Sequence, residues 1–247
     1  MESPVHISLA AERVGELLGL PVTNTLLASW LVMAILIAFA IFVGRRPSLI
    51  PGKIQNLFEA LFEYVINYME ETLGTRVAAL RFFPLIATIF LFIFLSNLLE
   101  FTPFFGALVV GHGAEHVPLL RSAATDLNLT VALALISVLV VEITGILTLG
   151  FLSYGSKFVN IKGGAIGFAV GLLELIGNAA RLVSLSFRLF GNILAGEVLI
   201  GVVVAFTPYV VPLPFMLFET FIGLMQAAIF ALLTLAFIKI AVMPPAH

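Results

Sequence analysis

Long uncharged apolar runs alternate with short polar connections along the chain, and the runs are long enough to cross a membrane. Leu26–Val43 carries no charge, Phe82–Leu99 is a second run ending on Ser96 and Asn97, and Leu129–Leu152 is a third, interrupted only by Glu142. About 20 apolar residues cross a bilayer core roughly 30 Å thick. The pattern therefore predicts spans over 26–43, 82–99 and 129–152. Two longer stretches follow, 164–206 and 209–243, separated at Thr207–Pro208, with Pro212 and Pro214 close behind. As one helix the first of these would be about 65 Å long at 1.5 Å per residue. It is either two spans or one helix lying steeply tilted.

Residues 52–74, GKIQNLFEALFEYVINYMEETLG, follow a different rule. Ile54, Leu57, Phe58, Leu61, Phe62, Val65 and Met69 recur at steps of three and four, while Glu59, Glu63, Glu70 and Glu71 fall elsewhere on the helix. One apolar face and one acidic face predict an amphipathic helix lying on the membrane surface.

Composition agrees. Of 247 residues 61% are hydrophobic and only 11% charged, and mean hydropathy is +1.17. Soluble domains carry roughly 25% charged residues, so most of this chain must face lipid or other protein. It reads as a single all-α membrane domain over 1–247, without internal repeats. The near-neutral balance of 12 cations and 14 anions gives no sign of nucleic-acid binding, and the absence of cysteine excludes disulfides, thiolate zinc sites and cysteine nucleophiles. The N-terminal segment lacks the basic region and short apolar core of a cleaved signal peptide, so the first run is expected to remain as a span.

Cations set the orientation. Arg45, Arg46, Lys53, Arg76, Arg81, Lys157 and Lys162 lie on one side, whereas the N-terminal tail and the 101–126 loop carry only Arg13 and Arg121. The amphipathic helix and the 157–162 loop are expected to be cytoplasmic, and the N-terminus and the 101–126 loop external.

Several polar residues sit where lipid would penalise them. Glu174, Arg181 and Arg188 are spaced by seven, and seven steps of about 100° return to within about 20° of the start. Asn178 and Asn192 join that stripe, while Glu197 points to nearly the opposite face. Each such charge at a lipid-facing midplane costs about 2.5–3.5 kcal/mol on the gentlest scale. The stripe must face protein, an aqueous cavity or both; an internal ion pair such as Glu174 with Arg181 is the structural alternative. On the last stretch Glu219 and Gln226 share a face. If the two long helices form an antiparallel hairpin turning at 207–214, Glu197 and Glu219 approach one another near the turn, with Arg188 and Gln226 further from it at similar depth. Poorly solvated, closely spaced carboxylates titrate near neutral pH. An arginine does not titrate, so a lone one in a proton path is a fixed positive barrier. Titratable acids flanking a permanent cation suggest two proton routes kept electrically apart.

The segment SLSFRLFGNILAGE, Ser184–Glu197, closely resembles the signature of subunit a of the F-type ATP synthases. LFIFLSNLL at Leu91–Leu99, TDLNLTVALAL at Thr125–Leu135 and LMQAAIFALLTLAF at Leu224–Phe237 occur in that family's order. The resemblance implies upright spans, a surface helix and two long tilted helices facing a rotating c-ring, with two offset half-channels that load and unload protons on c-ring carboxylates. It implies peripheral-stalk b subunits and the lipid bilayer as further partners, and no cofactor, metal or nucleotide on this chain. It matches Arg188 to the family's essential arginine and Asn192 and Gln226 to its polar neighbours. Glu197 and Glu219 match the outer half-channel, Glu174 an acid toward the cytoplasmic exit, and Asp126 and Asn128 polar positions near the outer entrance. The implied location is a bacterial inner membrane or an organellar energy-coupling membrane.

The sequence departs from the family at some positions. Relatives often carry histidine at one of the positions of Glu197 and Glu219, whereas this chain has glutamate at both. Arg181-Leu182 replaces a common Lys-Pro, so a straighter helix is expected there. Glu142 receives no role from the resemblance; it lines the channel or pairs with a cation. His112 and His116 are spaced like metal ligands, but Gly111 and Gly113 oppose a helix, and a solvated loop is expected. Gly163, Gly164, Gly167 and Gly171 permit close helix contact. A stand-alone proton-coupled secondary transporter, or a scaffold with a merely structural stripe, is the alternative function; neither accounts for Ser184–Glu197, and the first ordinarily carries internal repeats.

Overall fold

The computed structural model describes residues 11–17, 19–44, 52–100, 102, 108–110, 117–158, 164–207 and 209–243. Arg45, Arg46, Lys162, Gly163 and the His112/His116 pair lie outside the described residues. Seven α-helices account for most of what is described, and five of them are long and apolar enough to cross a membrane. The chain is an all-α multi-pass membrane protein.

A short antiparallel hairpin, β1 (Arg13–Leu17) and β2 (Leu20–Thr23), precedes the first span. Its turn uses Gly19 at φ 81°, a left-handed conformation that costs glycine little. Helix α1 (Asn24–Gly44) follows directly. Its first turn is tied down: Asn24 donates to the Pro118 carbonyl (3.3 Å) and Thr25 donates to Asp126 (3.0 Å). Val109–Val110 and Val117–Pro118 form a second small hairpin, β3 and β4. Neither hairpin shows in the hydropathy pattern, because each strand is too short to display a period.

Helix α2 (Lys53–Leu73) is the amphipathic segment and stops at Gly74, φ 86°, whose N–H donates to Glu70 O. Met69 is 1% exposed and packs with Val65, Ile66 and Leu73 into the bundle, while Phe58 and Phe62 meet Phe39 and Phe83 edge-on. Leu57 and Leu61 on the same helix are exposed, as lipid contact requires. Helix α3 (Arg76–Glu100) begins six residues before the apolar run, because the Thr75 hydroxyl accepts from Ala78 N and opens a helix through Arg76 and Arg81. Helix α4 (Leu127–Leu149) is capped by Asp126 and ends at Gly150, φ 83°. The apolar run continues to Leu152, but the chain bends there into the short α5 (Phe151–Phe158).

Two long helices complete the molecule. Helix α6 (Gly164–Phe206) is unbroken over 43 residues and passes straight through Arg181-Leu182. At about 65 Å it exceeds a 30 Å core twofold and fits only when steeply inclined. Helix α7 (Pro212–Val242) runs back beside it, with proline in its first turn, where a missing N–H costs nothing. Helix α7 is the central column: Gly223, Ala227, Phe230, Ala231, Thr234, Leu235, Ile238 and Ala241 are all buried, at helical spacing, against α3, α4 and α6. One core unites Ile89, Ile93, Leu185, Leu189, Ile193 and Phe230; a second, at the other end, unites Met69, Val141, Tyr154, Leu235 and Ile238.

Close backbone approach fixes two of these contacts. Gly223 leaves room for the Asn97 side chain, which donates to the Gly223 carbonyl at 3.1 Å. Gly171 lies against the backbone carbonyl of Phe158, where a Cβ would collide. Beside it, Lys157 donates to the carbonyls of Ala241 (3.2 Å) and Met243 (2.9 Å), satisfying the end of α7. Gly171→Ala is therefore expected to destabilise the chain by about 1–3 kcal/mol, because backbone cannot swing aside. Gly155→Ala, which meets open space in α5, should leave stability unchanged or raise it. Comparing melting temperatures in detergent tests the contrast.

Candidate functional site

The polar stripe of α6 flanks its packed face. Leu185, Leu189 and Ile193 are buried, while Arg181 and Arg188 lie half-buried beside them. Arg188 donates to the Ser184 hydroxyl one turn back, at 3.2 Å, and makes no ion pair among the described residues. Arg181 and Arg188 both line a cleft of about 270 Å³ with Ser184, Leu233 and Phe237. One turn beyond Arg188, Asn192 donates to Gln226 at 3.0 Å and joins α6 to α7. Arg188 and Gln226 thus lie at similar depth, as the hairpin reading requires. No Glu174–Arg181 ion pair forms among the described residues; Arg181 instead donates to Asn178 Oδ1 at 2.6 Å.

Toward the α6–α7 turn lies a cluster of acids. Arg121, in the connection before α4, grips Glu197 with both arms of its fork: Nε to Oε1 at 3.2 Å and Nη2 to Oε2 at 2.8 Å. The arginine side chain is 8% exposed and its partner 29%. Glu219 is buried in the space left by Gly196. Glu100, the last residue of α3, sits in the field of Glu197, Glu219 and Arg121. Glu100 therefore lies within electrostatic reach of two further carboxyl groups and one guanidinium.

From this cluster a line of unsatisfied polar atoms runs inward between α3 and α7. Ser96 Oγ, Asn97 Oδ1, Glu219 Oε1 and Gln226 Nε2 are all buried without a partner among the described residues. Asn97 meets α7 at Gly223, between Glu219 and Gln226. In a membrane each unsatisfied polar group costs several kcal/mol. Four of them at one helix interface, a polar seam, depart from the rule that buried polar groups are paired. Gln226 then hands the seam to Asn192 and the flank of Arg188.

At the other end of α6, Glu142 of α4 accepts from Asn178 (2.8 Å) and from the Tyr154 hydroxyl (2.9 Å). Burial first, and then the bond to Glu142, push the Tyr154 hydroxyl above its ordinary range, so it remains a donor. Glu174 is half-buried and acts electrostatically on the same tyrosine. Asp126 is held differently: one oxygen caps α4 through Asn128 N at 2.9 Å and the other accepts from Thr25. It joins α1 to α4, and Asn128 points its side chain outward, exposed.

Arg188, Asn192, Gln226, Glu197 and Glu219 are thus brought into one region, with Glu174 at the far end and Asp126 and Asn128 at the α1–α4 contact. The hydropathy pattern passed over Glu100, Asn97 and Arg121. Glu100 follows Asn97 by three and so shares its face, a signal that was present but fell one residue beyond the apolar run. Arg121 is 76 residues from Glu197, and only the tertiary fold brings the two together.

A family model described as ATP synthase A chain matches residues 26–239. The ATP synthase subunit a of Campylobacter jejuni (strain RM1221) is 34% identical over 211 residues, covering 84% of this chain and 85% of the relative. That of Mycobacterium tuberculosis (strain CDC 1551 / Oshkosh) is 35% identical over 238 residues, covering 94% and 92%.

Removing Arg121 would leave Glu197 and Glu100 in one another's field without the guanidinium that acts on both. Arg121→Gln is expected to destabilise the chain by on the order of 3 kcal/mol, the lower end for a broken buried pair whose acid is partly exposed. Arg76→Gln breaks the Arg76–Glu70 pair, which is 50% and 39% exposed, and should cost less than about 1 kcal/mol. Thermal melting of both variants in the same detergent checks the ranking.

Proposed function

The chain belongs to the ATP synthase A chain family, and from that premise we propose that it is the stator half of a rotary proton path. In this reading two offset half-channels load and unload protons on the carboxylates of an adjoining c-ring, while peripheral-stalk b subunits keep the chain from turning with it. Ion flow thereby drives ATP synthesis elsewhere in the complex, and this chain itself binds no nucleotide. The bacterial relatives favour a bacterial inner membrane as its location.

Arg188 carries the reading. It is a permanent cation on the flank of α6 without a carboxylate of its own among the described residues, so it can attract one from a passing partner. At about 4 Å and an effective dielectric of about 20 that attraction is worth ~4 kcal/mol. The same charge repels protons, so they cannot cross directly from one side to the other.

In this reading each acid has a place. Protons enter from the outer side at the Arg121–Glu197 pair, pass Glu100 and Glu219, and follow Asn97, Gln226 and Asn192 to the ring carboxylate. After nearly a full turn through lipid, that carboxylate releases its proton past Glu174 on the cytoplasmic side. Two glutamates at positions 197 and 219, where relatives often have a histidine, make this a relay of carboxyl groups. The coupling ion is taken as the proton, in keeping with carboxyl groups and amides lining the route.

Two outcomes test the proposal in sealed inverted vesicles. Arg188→Ala should lower ATP-driven acidification by about 10³-fold, the equivalent of ~4 kcal/mol, while the chain still inserts; pumping that survives would remove the barrier role. Glu219→Gln should slow pumping far more than Lys239→Gln, since Lys239 lies in the last turn of α7, away from the seam. Equal effects would take Glu219 out of the path.

A further inference from the structure

Glu142 sits within a membrane span, α4, and the path described above does not use it. Both of its oxygens are occupied. Oε1 accepts from Asn178 Nδ2 at 2.8 Å, and Oε2 accepts from the Tyr154 hydroxyl at 2.9 Å. The amide of Asn178 faces two ways, because its Oδ1 accepts from Arg181 Nη1 at 2.6 Å. Its orientation is unambiguous: turned over, it would set amide N–H against guanidinium N–H and oxygen against carboxylate. Glu142 and Arg181 therefore form an ion pair bridged by one amide, in which each charge polarises the link toward the other.

The guanidinium held in this way is not a remote one. Its Cζ lies 5.0 Å from the centre of the Phe237 ring, a cation–π contact, and Arg181 lines the same cleft as Arg188. Seven residues separate the two arginines, about 10.5 Å along the helix. Arg188 reaches back toward Arg181 through Ser184. Two permanent cations thus share one cleft, and among the described residues one carboxylate, that of Glu142, is linked to one of them by hydrogen bonds.

We infer that Glu142 is a positioning residue for proton transport: through Asn178 it fixes and neutralises Arg181, so that Arg188 remains the one uncompensated cation of the cleft. The inference rests on the role proposed above for Arg188. With the Glu142 charge removed, Arg181 repels Arg188 and competes with it for the carboxylate that the cleft admits. With the Arg181 charge removed, Glu142 becomes an uncompensated anion beside the cleft and competes for Arg188. Either loss is harmful, and loss of both restores the balance.

The test is a double-mutant cycle on the assembled complex in sealed inverted vesicles, with the chain quantified in each membrane and Arg188→Ala as control. Glu142→Gln and Arg181→Gln are each expected to lower ATP-driven pumping per assembled complex at least several-fold. The double variant should recover at least half of the wild-type rate, and Arg181→Lys, which keeps the charge, should fall between. Additive losses in the double variant, or single variants that pump at the wild-type rate, would overturn the inference. So would loss of the chain from the membrane in both single variants, which would assign the network to assembly alone. If Arg188→Ala itself pumps, the proposed function fails; if only the cycle is additive, that reading stands and the role of Glu142 falls.

Discussion

A charge in lipid needs either a partner or a purpose, and that constraint organises this molecule. Arginine makes the constraint absolute, because it cannot escape by giving up its proton. The described chain places three arginines within its packed polar regions and treats each differently. Arg121 is clasped by Glu197 through both arms of its fork. Arg181 is compensated at one remove, through Asn178 and Glu142. Arg188 has only a serine hydroxyl. Membrane helices gain little from hydrophobic association with one another, since lipid tails are as apolar as leucine. A polar contact in such a bundle is therefore informative, and an unmatched one more so.

The packing serves those placements. One face of helix α7 is buried along its length and acts as the column against which the other helices are held. Where polar side chains must enter, glycine makes the room: Gly223 for Asn97 and Gly196 for Glu219. Both substitutions of bulk by hydrogen fall on the polar seam between α3, α6 and α7. The apolar clusters on either side of it are filled by Leu, Ile and Phe. Small residues in this chain therefore mark where polar groups are admitted as well as where helices touch.

Much of this was legible beforehand, for identifiable reasons. Uncharged runs announce spans because lipid tolerates nothing else, and the spacing of Glu174, Arg181 and Arg188 announced a shared stripe because helix geometry is rigid. Thr75 and Gly150 moved helix ends away from the apolar boundaries, since caps and left-handed glycines override hydropathy at the last turn. The clasp of Arg121 on Glu197 spans 76 residues, and no local pattern encodes a contact of that range. Glu142 stood out as an anomaly in sequence, but its partners Asn178 and Tyr154 come from two other helices. Its chemistry became readable only once α4, α5 and α6 were packed together.

The length of α6 has a mechanical consequence for the proposed path. Glu174 and Glu197 are 23 residues apart on one unbroken helix, about 34 Å along its axis. Were that helix upright, the two acids would lie near opposite faces of a 30 Å core, offset sideways by no more than the helix's own diameter of about 10–12 Å. A ring carriage docking beside them would then meet both ends at nearly the same angular position, and a proton could leave close to where it entered. A helix of about 65 Å confined to that core must lean by roughly 60° from the normal. The lean converts most of the axial separation into lateral distance, on the order of 30 Å between the two acids. Depth and lateral offset are then set together by one rigid rod, with Arg188 between its ends. A shorter, upright helix could supply the same residues in the same order and still fail, because it would separate them mainly in depth.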